Sequence, residues 1–196
     1  MLFDDKIMCP AHAAGFSVVD GTPEQAPGLD GIPTYRVLEA DNKVYVEVPE
    51  TGLPKKAAMP LTKRDPNNPQ HFIIIGGGPA GLNCAETLRQ SGFSGRLTVV
   101  SKEDMVPYDR TLISKALPMI NAREKCLRPA EFLIDADIDY KLSSAVTDIN
   151  RTSKKVTLGS GEVLDYDKLC IATGGKVNKM NIPGADLTGV HYLRTS

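Results

Sequence analysis

The sequence predicts an α/β fold, in which a parallel sheet carries an antiparallel β insertion and follows a small all-β segment. Two observations support this prediction. From His71 onward strand-like and helix-like patterns alternate, and Phe72–Ile75 is an unbroken apolar run, as a strand covered on both faces requires. Residues 1–50 are instead rich in Gly, Pro and β-branched residues, which favour short strands and turns. The chain should therefore hold one α/β domain and part of a second, all-β domain.

Composition and charge exclude several classes of protein. Hydrophobic residues make up 41% and charged residues 24% of the 196-residue chain, as in ordinary soluble globular proteins. The net charge of −1 gives no general attraction to nucleic acid or anionic lipid. No apolar run approaches the roughly 18 residues that a transmembrane helix needs. Neither a nucleic-acid partner nor a transmembrane segment is expected.

The N-terminus and the cysteines favour an intracellular location, cytoplasmic or mitochondrial. The opening run MLFDDKIMCP lacks the apolar core of a signal peptide and the Arg/Ser-rich character of a transit peptide, so no targeting segment is visible. Four cysteines in a chain of this length are too sparse for a disulfide scaffold. We predict that Cys84, in a helix, and Cys170, in an apolar strand, are buried packing thiols.

The all-β part should occupy residues 1–50. Strands are predicted near Phe16–Val19, Thr34–Leu38 and Lys43–Val48, with turns at Asp20-Gly21 and Asp41-Asn42. Residues 51–70 contain repeated prolines and several basic residues. Repeated prolines oppose regular structure, so this segment is predicted to be an extended linker with solvated charges rather than a nucleic-acid or lipid patch.

The α/β part should begin at residue 71 and run to residue 196. A strand at Phe72–Ile75, a helix at Pro79–Gln90 and a strand at Arg96–Val100 form a βαβ unit, which predicts a parallel sheet with a right-handed crossover. Four later strands are predicted, of which the first three look like an antiparallel insertion: Val146–Asn150, Lys155–Leu158, Glu162–Leu164 and Lys168–Ala172.

A glycine-rich loop between the first strand and the helix predicts a dinucleotide site in a Rossmann-like domain. Its G-x-G-x-x-G pattern directly follows an apolar strand and opens a helix, which is the context that the motif needs. The first glycine allows a tight turn, the second lets the backbone approach a pyrophosphate, and the third lets helix and strand pack closely. The helix N-terminus supplies N–H groups and partial positive charge. The loop residues are Gly76, Gly77, Gly78, Pro79, Ala80 and Gly81.

An acidic residue after the second strand should accept hydrogen bonds from the adenosine ribose. That strand ends at Val100 and is followed by Ser101, Lys102 and Glu103. The ribose carboxylate is therefore predicted to be Glu103, beside Lys102 and two places later than usual, the alternative being a solvated loop acid. These residues leave NAD and FAD equally open.

The segment VVSKEDMVPYDRTLISKAL resembles the loop after the second strand in apoptosis-inducing-factor-like proteins and in the ferredoxin reductases of ring-hydroxylating dioxygenases. The resemblance lies in Pro107-Tyr108-Asp109-Arg110 and in Ile113-Ser114-Lys115. It implies that the cofactor is FAD, that Arg110 contacts it and that Lys115 lies near the isoalloxazine ring, where a cation would stabilise reduced flavin. The resemblance further implies that the turn Ala172-Thr173-Gly174 lies against the cofactor and that the Val146 backbone meets the adenine.

The N-terminal segment resembles the second half of a Rieske iron–sulfur site. Rieske centres use a C-x-H box and a later C-x-x-H box, and Cys9 and His12 match the second, although Ala13 stands where that family usually has glycine. The resemblance implies a chain truncated at both ends, because the first box would lie upstream of Met1. A 2Fe-2S cluster is therefore expected only where that missing box is present.

These features predict a fragment of an FAD-dependent NAD(P)H oxidoreductase that passes electrons from nicotinamide through FAD to an iron–sulfur or other acceptor. No acid–base pair suggests a catalytic residue, so none is assigned. The alternatives are a flavin-binding or interaction module without turnover of its own, and a simple NAD-dependent dehydrogenase. Because a truncated sheet exposes apolar edges, the isolated chain is expected to be marginally stable or aggregation-prone.

Overall fold

The computed structural model describes residues 1–54, 56–115 and 124–195. The chain divides into two compact units, Met1–Pro60 and Leu61–Ser196. The boundary falls inside the segment predicted to be a linker. Its second half belongs to the second unit, because Leu61 packs against the core of that unit and the Thr62 N–H donates to the Arg89 carbonyl at 2.9 Å.

The first unit is all-β. Its described residues form an antiparallel sheet in the order β1-β2-β3-β4 and a separate hairpin of β5 and β6. The predicted turn at Asp41-Asn42 is present and joins the hairpin strands, with positive φ values of 51° and 58°. Such a two-residue turn matches the twist of the strands that it connects. The strands are β1 Leu2–Phe3, β2 Lys6–Met8, β3 Gly15–Ser17, β4 Pro23–Gln25, β5 Val37–Ala40 and β6 Lys43–Val46.

The second unit contains the predicted parallel sheet, in the order β13-β7-β8-β9, with β9 as an edge strand that was not predicted. Helix α1, at Pro79–Gln90, connects β7 to β8 as the βαβ pattern predicts. In the register of the sheet, Ile75 lies opposite both Val100 and Ile171, so the carboxyl ends of three strands meet at one edge. The strands are β7 His71–Ile75, β8 Arg96–Val100, β9 Asp139–Lys141 and β13 Lys168–Ile171.

The antiparallel insertion is also confirmed. Strands β10, β11 and β12 form an antiparallel sheet within the described residues, and β12 begins one residue later than predicted. Within the described residues, two short helices, α2 and α3, lie between β8 and β9. The last residues of the segment on which the family resemblance rests, Ala116 and Leu117, lie outside the described residues. The remaining elements are α2 Thr111–Lys115, α3 Ala130–Asp135, β10 Val146–Asn150, β11 Lys155–Leu158 and β12 Val163–Asp165.

Two hydrophobic clusters cover the two faces of the parallel sheet. Ile74 packs with Leu82 and Ala85 of α1, whereas Ile73 and Ile75 pack with the antiparallel insertion. Because successive strand residues point to opposite faces, β7 contributes residues to both clusters. The unbroken apolar run of β7 is thereby explained.

The two predicted packing thiols lie half-buried against the α1 side of the sheet. Burial, followed by the neighbouring Cys170, raises the pKa of Cys84 to about 11. Because the thiolate is the reactive form, this environment suits packing rather than chemistry. No helix of the described residues combines the length and apolar character that crossing a bilayer requires.

His71, the first residue of β7, should make stability depend on pH. Burial, and after it the positive charge of Arg96, lowers the pKa of His71, whose Nε2 lies 2.9 Å from the Thr98 hydroxyl. The folded state thus favours the neutral imidazole of His71. The stability that this group contributes is fully present above its ordinary pKa of 6.5, and it is lost as the pH falls below 6.5 toward the lowered pKa of the folded state. We expect the free energy of unfolding, measured with urea, to fall between about pH 7.5 and 5.5.

The His71→Gln variant should lose part of this pH dependence. The same exchange at the exposed His191 is the matched control and should leave the dependence unchanged. Equal pH slopes for the wild type and the His71→Gln variant would contradict this assignment.

Candidate functional site

A cleft of about 1030 Å³ opens where the carboxyl ends of β7, β8 and β13 meet. Ligands of open α/β sheets bind at such a position. Of the residues predicted to bind a cofactor, Gly81 lies buried beneath the loop and Lys115 is exposed at the end of α2. The other predicted residues line the cleft: Gly76, Gly77, Gly78, Pro79, Ala80, Lys102, Glu103, Arg110, Val146, Ala172, Thr173 and Gly174.

Glycines hold the loop against its neighbours at distances that a side chain would not allow. Gly76 has a φ of +122°, and a Cβ atom there would lie 2.1 Å from the Ala172 carbonyl oxygen. A Cβ at Gly81 would lie 1.9 Å from the Gly76 carbonyl oxygen. The first and third glycines of the motif therefore let the loop contact the turn after β13 and let α1 pack against the loop.

The N-terminus of α1 faces this cleft. Gly78 is the N-cap residue and Pro79 occupies the first turn, which contains no acidic residue. No side chain of the described residues caps the helix by a hydrogen bond. The first turn of α1 therefore offers N–H groups and the positive end of the helix dipole to an anion in the cleft.

Glu103 is part of a charged cluster rather than a solvated loop acid. It forms an ion pair with Arg110, and its Oε2 accepts a hydrogen bond of 2.9 Å from the Tyr108 hydroxyl. Arg110 Nη1 in turn donates to the Tyr108 hydroxyl oxygen at 3.0 Å, and its guanidinium lies 4.9 Å from the centre of the Tyr108 ring. A carboxylate has about four acceptor positions, so Glu103 keeps capacity for the hydroxyl groups of a ligand.

Arg194 is a cleft residue that sequence reasoning missed. Its Nε donates to the Gly175 carbonyl at 3.0 Å, and its own carbonyl accepts from Arg110 Nη1 at 3.2 Å. It therefore links the turn after β13 to the charged cluster. An isolated arginine far along the chain from the glycine loop carries no local pattern that would indicate this position.

The two residues predicted as iron ligands lie between β2 and β3. Cys9 is half-buried and His12 is exposed. Ala13 adopts a positive φ of 60°, a conformation that favours the glycine expected there. Among the residues that the structure describes, no group of three or more His, Cys, Asp or Glu is arranged to hold a metal. The Rieske assignment thus stays a prediction.

The glycine loop and the parallel sheet match a known family. A sequence profile of the pyridine nucleotide-disulphide oxidoreductases matches residues 70–196. The chain belongs to this family. Membership confirms the predicted Rossmann-like fold and the predicted family of the α/β part.

Individual relatives extend the likeness to the first unit. Human apoptosis-inducing factor 3 is 32% identical over 202 residues, which span 97% of this chain and 32% of that protein. Rhodocoxin reductase of Rhodococcus erythropolis is 43% identical over 127 residues, which span 64% of this chain and 30% of that protein. The chain therefore spans about a third of the length of these pyridine nucleotide-disulphide oxidoreductases.

Solved structures of the family share the fold of the second unit. A ferredoxin reductase from Rhodopseudomonas palustris superimposes with a TM-score of 0.60 at 34% identity, over 64% of this chain and 31% of that one. A covalent complex of putidaredoxin reductase with putidaredoxin gives a TM-score of 0.56 at 32% identity, over 60% of this chain and 29% of the matched chain. The second unit therefore shares the fold of these two reductases.

Proposed function

We propose that the second unit binds FAD and forms the flavin-binding part of an oxidoreductase that takes electrons from NAD(P)H and passes them to an iron–sulfur protein or another acceptor. The observation that carries this proposal is the convergence of the glycine loop, the start of α1 and the Glu103–Arg110 pair on one cleft. Relatives described as rhodocoxin reductase and as ferredoxin and rubredoxin reductases support the type of acceptor.

The cleft fits a dinucleotide in shape and in chemistry. Its volume of about 1030 Å³ lies at the upper end of ligand pockets, which span ~300–1,000 Å³. A Cβ at Gly78 would have Arg110 Nη2, 3.7 Å away, as its nearest neighbour, so the loop backbone is open to a ligand at this glycine. The diphosphate would lie on Gly76–Ala80, the ribose at Glu103 and the adenine at the Val146 backbone.

The residues of the chain would bind and orient the cofactor. Bound FAD supplies the change from two-electron to one-electron transfer. Arg110 would hold the Glu103 carboxylate oriented for the ribose hydroxyls, and its position near Gly78 would add positive charge beside the diphosphate. Lys115 is proposed as the cation near the isoalloxazine ring. No side chain of the described residues is assigned a proton-transfer role.

A flavin-binding module without turnover is the second candidate. It needs only the cleft that the glycine loop, the start of α1 and the Glu103–Arg110 pair form. The site described above would serve either function.

Two measurements on the purified chain test both candidates. Titration with FAD, followed by visible absorption, should reach one flavin per chain. NADH oxidation with ferricyanide as acceptor should then exceed the rate of free FAD if the chain is an enzyme. Bound flavin with a rate equal to that of free FAD would support the module. A colourless chain that takes up no FAD would contradict both.

Arg110 should contribute measurably to FAD affinity. We expect Arg110→Met to weaken FAD binding by about 10- to 100-fold, because a hydrogen bond to a charged group contributes about 1.5–3 kcal/mol. The control is Arg151→Met, an exposed arginine in the turn between β10 and β11, which should leave the dissociation constant unchanged. Fluorescence titration of FAD measures both. An unchanged affinity in folded Arg110→Met protein would remove this residue from the site.

A further inference from the structure

The hairpin of β5 and β6 in the first unit has apolar side chains exposed on both faces. In the part of the chain that the structure describes, the two strands form a sheet by themselves. Val37 is 55% exposed, Val44 66% and Val46 50% on one face, while Leu38 and Tyr45 are exposed on the other. A two-stranded ribbon is marginal in water without further packing, so this hairpin is suited to a partner.

The outer edge of β6 carries backbone groups that point away from the hairpin. The Glu47 N–H donates to the Arg36 carbonyl at 3.0 Å, which makes these two residues a hydrogen-bonded pair. Hydrogen-bonded and non-hydrogen-bonded pairs alternate along an antiparallel ladder. Lys43, Tyr45 and Glu47 therefore direct their backbone groups toward β5, and Val44 and Val46 direct theirs outward.

The sequence of this edge is complementary to itself in the antiparallel direction. The run Lys43-Val44-Tyr45-Val46-Glu47 can be rotated about Tyr45 onto a second copy. Val44 of one copy then lies opposite Val46 of the other, and these are the residues with outward backbone groups. Lys43 of each copy lies opposite Glu47 of the other, so the register that satisfies the hydrogen bonds also pairs opposite charges.

The other edge of the hairpin lacks this property. Rotation of β5 about Leu38 places Arg36 opposite Ala40 and Val37 opposite Glu39. That register pairs no opposite charges and sets a carboxylate against an apolar side chain. The complementarity is therefore specific to β6.

We propose that β6 pairs antiparallel with β6 of a second copy of this chain, about a two-fold axis at Tyr45. The product is a four-stranded sheet in the order β5-β6-β6-β5. One face joins the valines of both copies, and the other carries a central tyrosine pair flanked by two Lys43–Glu47 ion pairs. The contact uses the first unit alone and is independent of the flavin site. Its short strands place it among the weak interfaces, below about 1,200 Å².

The mass of the full chain in solution tests this proposal. Sedimentation equilibrium from about 10 μM to 1 mM should show a rise from 21.2 kDa toward twice that value, as expected for a weak dimer. The variants Lys43→Glu and Glu47→Lys each place like charges opposite one another in the homodimer. Each should raise the dissociation constant by about tenfold or more. An equimolar mixture of the two variants should restore dimerisation, because the mixed pair again sets Glu against Lys.

Val19→Lys is the control for non-specific association, because Val19 is 79% exposed in the same unit but lies outside the hairpin. It should leave the dimer unchanged. A single-chain mass at every concentration would overturn the proposal, and so would an equal loss in the Val19→Lys variant or a mixture of charge variants that stays monomeric. Slow amide exchange of Val44 and Val46 in a monomer would also overturn it, by showing that the chain covers this edge itself.

Discussion

Replacing Gly76 with alanine is expected to abolish FAD binding and to lower the free energy of unfolding by about 2–5 kcal/mol. The φ of this residue is +122°, and the added Cβ would lie 2.1 Å from the Ala172 carbonyl oxygen. That oxygen belongs to the backbone, so it can move away from the added Cβ only if the turn after β13 shifts. The same turn lines the cleft, so the strain and the loss of the binding geometry have one cause.

Gly92→Ala is the matched control for Gly76→Ala. Gly92 also has a positive φ, +91°, but a Cβ there would meet nothing within 4 Å. The Gly92→Ala substitution should lower the free energy of unfolding by about 1–2 kcal/mol, through backbone strain alone, and leave FAD affinity unchanged. Urea denaturation gives the stability of both variants, and FAD titration gives their affinity. If Gly76→Ala bound FAD as the wild type does, the assignment of the loop to the cofactor would be wrong.

Arg89→Met should lower the free energy of unfolding by about 3–5 kcal/mol. The Arg89 side chain is fully buried on α1. It donates to four backbone carbonyls near the end of α1, the approach to β8 and the turn between α3 and β9. Methionine fills similar space without donors, so these carbonyls lose their charged partner. The acceptors are Ala136 at 3.0 Å, Phe93 at 2.6 Å, Gly95 at 3.0 Å and Asp137 at 2.6 Å.

Arg96→Met is the control for Arg89→Met. The Arg96 side chain is 43% exposed and pairs with Asp139 at 3.7 Å, a surface ion pair that contributes no more than about 1 kcal/mol. Urea denaturation at neutral pH measures both variants. A loss for Arg89→Met no larger than for Arg96→Met would show that the buried guanidinium does not hold these segments together.

The βαβ unit could be predicted almost residue by residue. The helix occupies Pro79–Gln90 as predicted, and the first strand, His71–Ile75, begins one residue earlier. Both are determined locally, by an apolar run that suits a strand covered on both faces and by a glycine loop that opens a helix. The sequence therefore determined the strands β7, β8 and β13, the position of the loop and the edge of the sheet at which the cleft opens. Strand β9 was not predicted.

The first unit was harder to predict. Strands β1, β2 and β4 span two or three residues, too few to show an alternating pattern. The strand predicted at Thr34–Leu38 lies instead at Val37–Ala40, because the turn at Asp41-Asn42 sets the register of the hairpin and moves the strand toward it.

Only the tertiary structure decided which polar side chains meet at the cleft. The sequence placed Glu103 and Arg110 in the same loop, but their ion pair and the hydrogen bond from Tyr108 depend on how that loop folds over the end of β8. The contribution of Arg194 depends on a contact between segments distant in the chain. Strands and helices depend on local sequence patterns, which can be recognised within a short window of sequence. The direction of a loop side chain is determined by packing from all sides, so it became visible only in the folded chain.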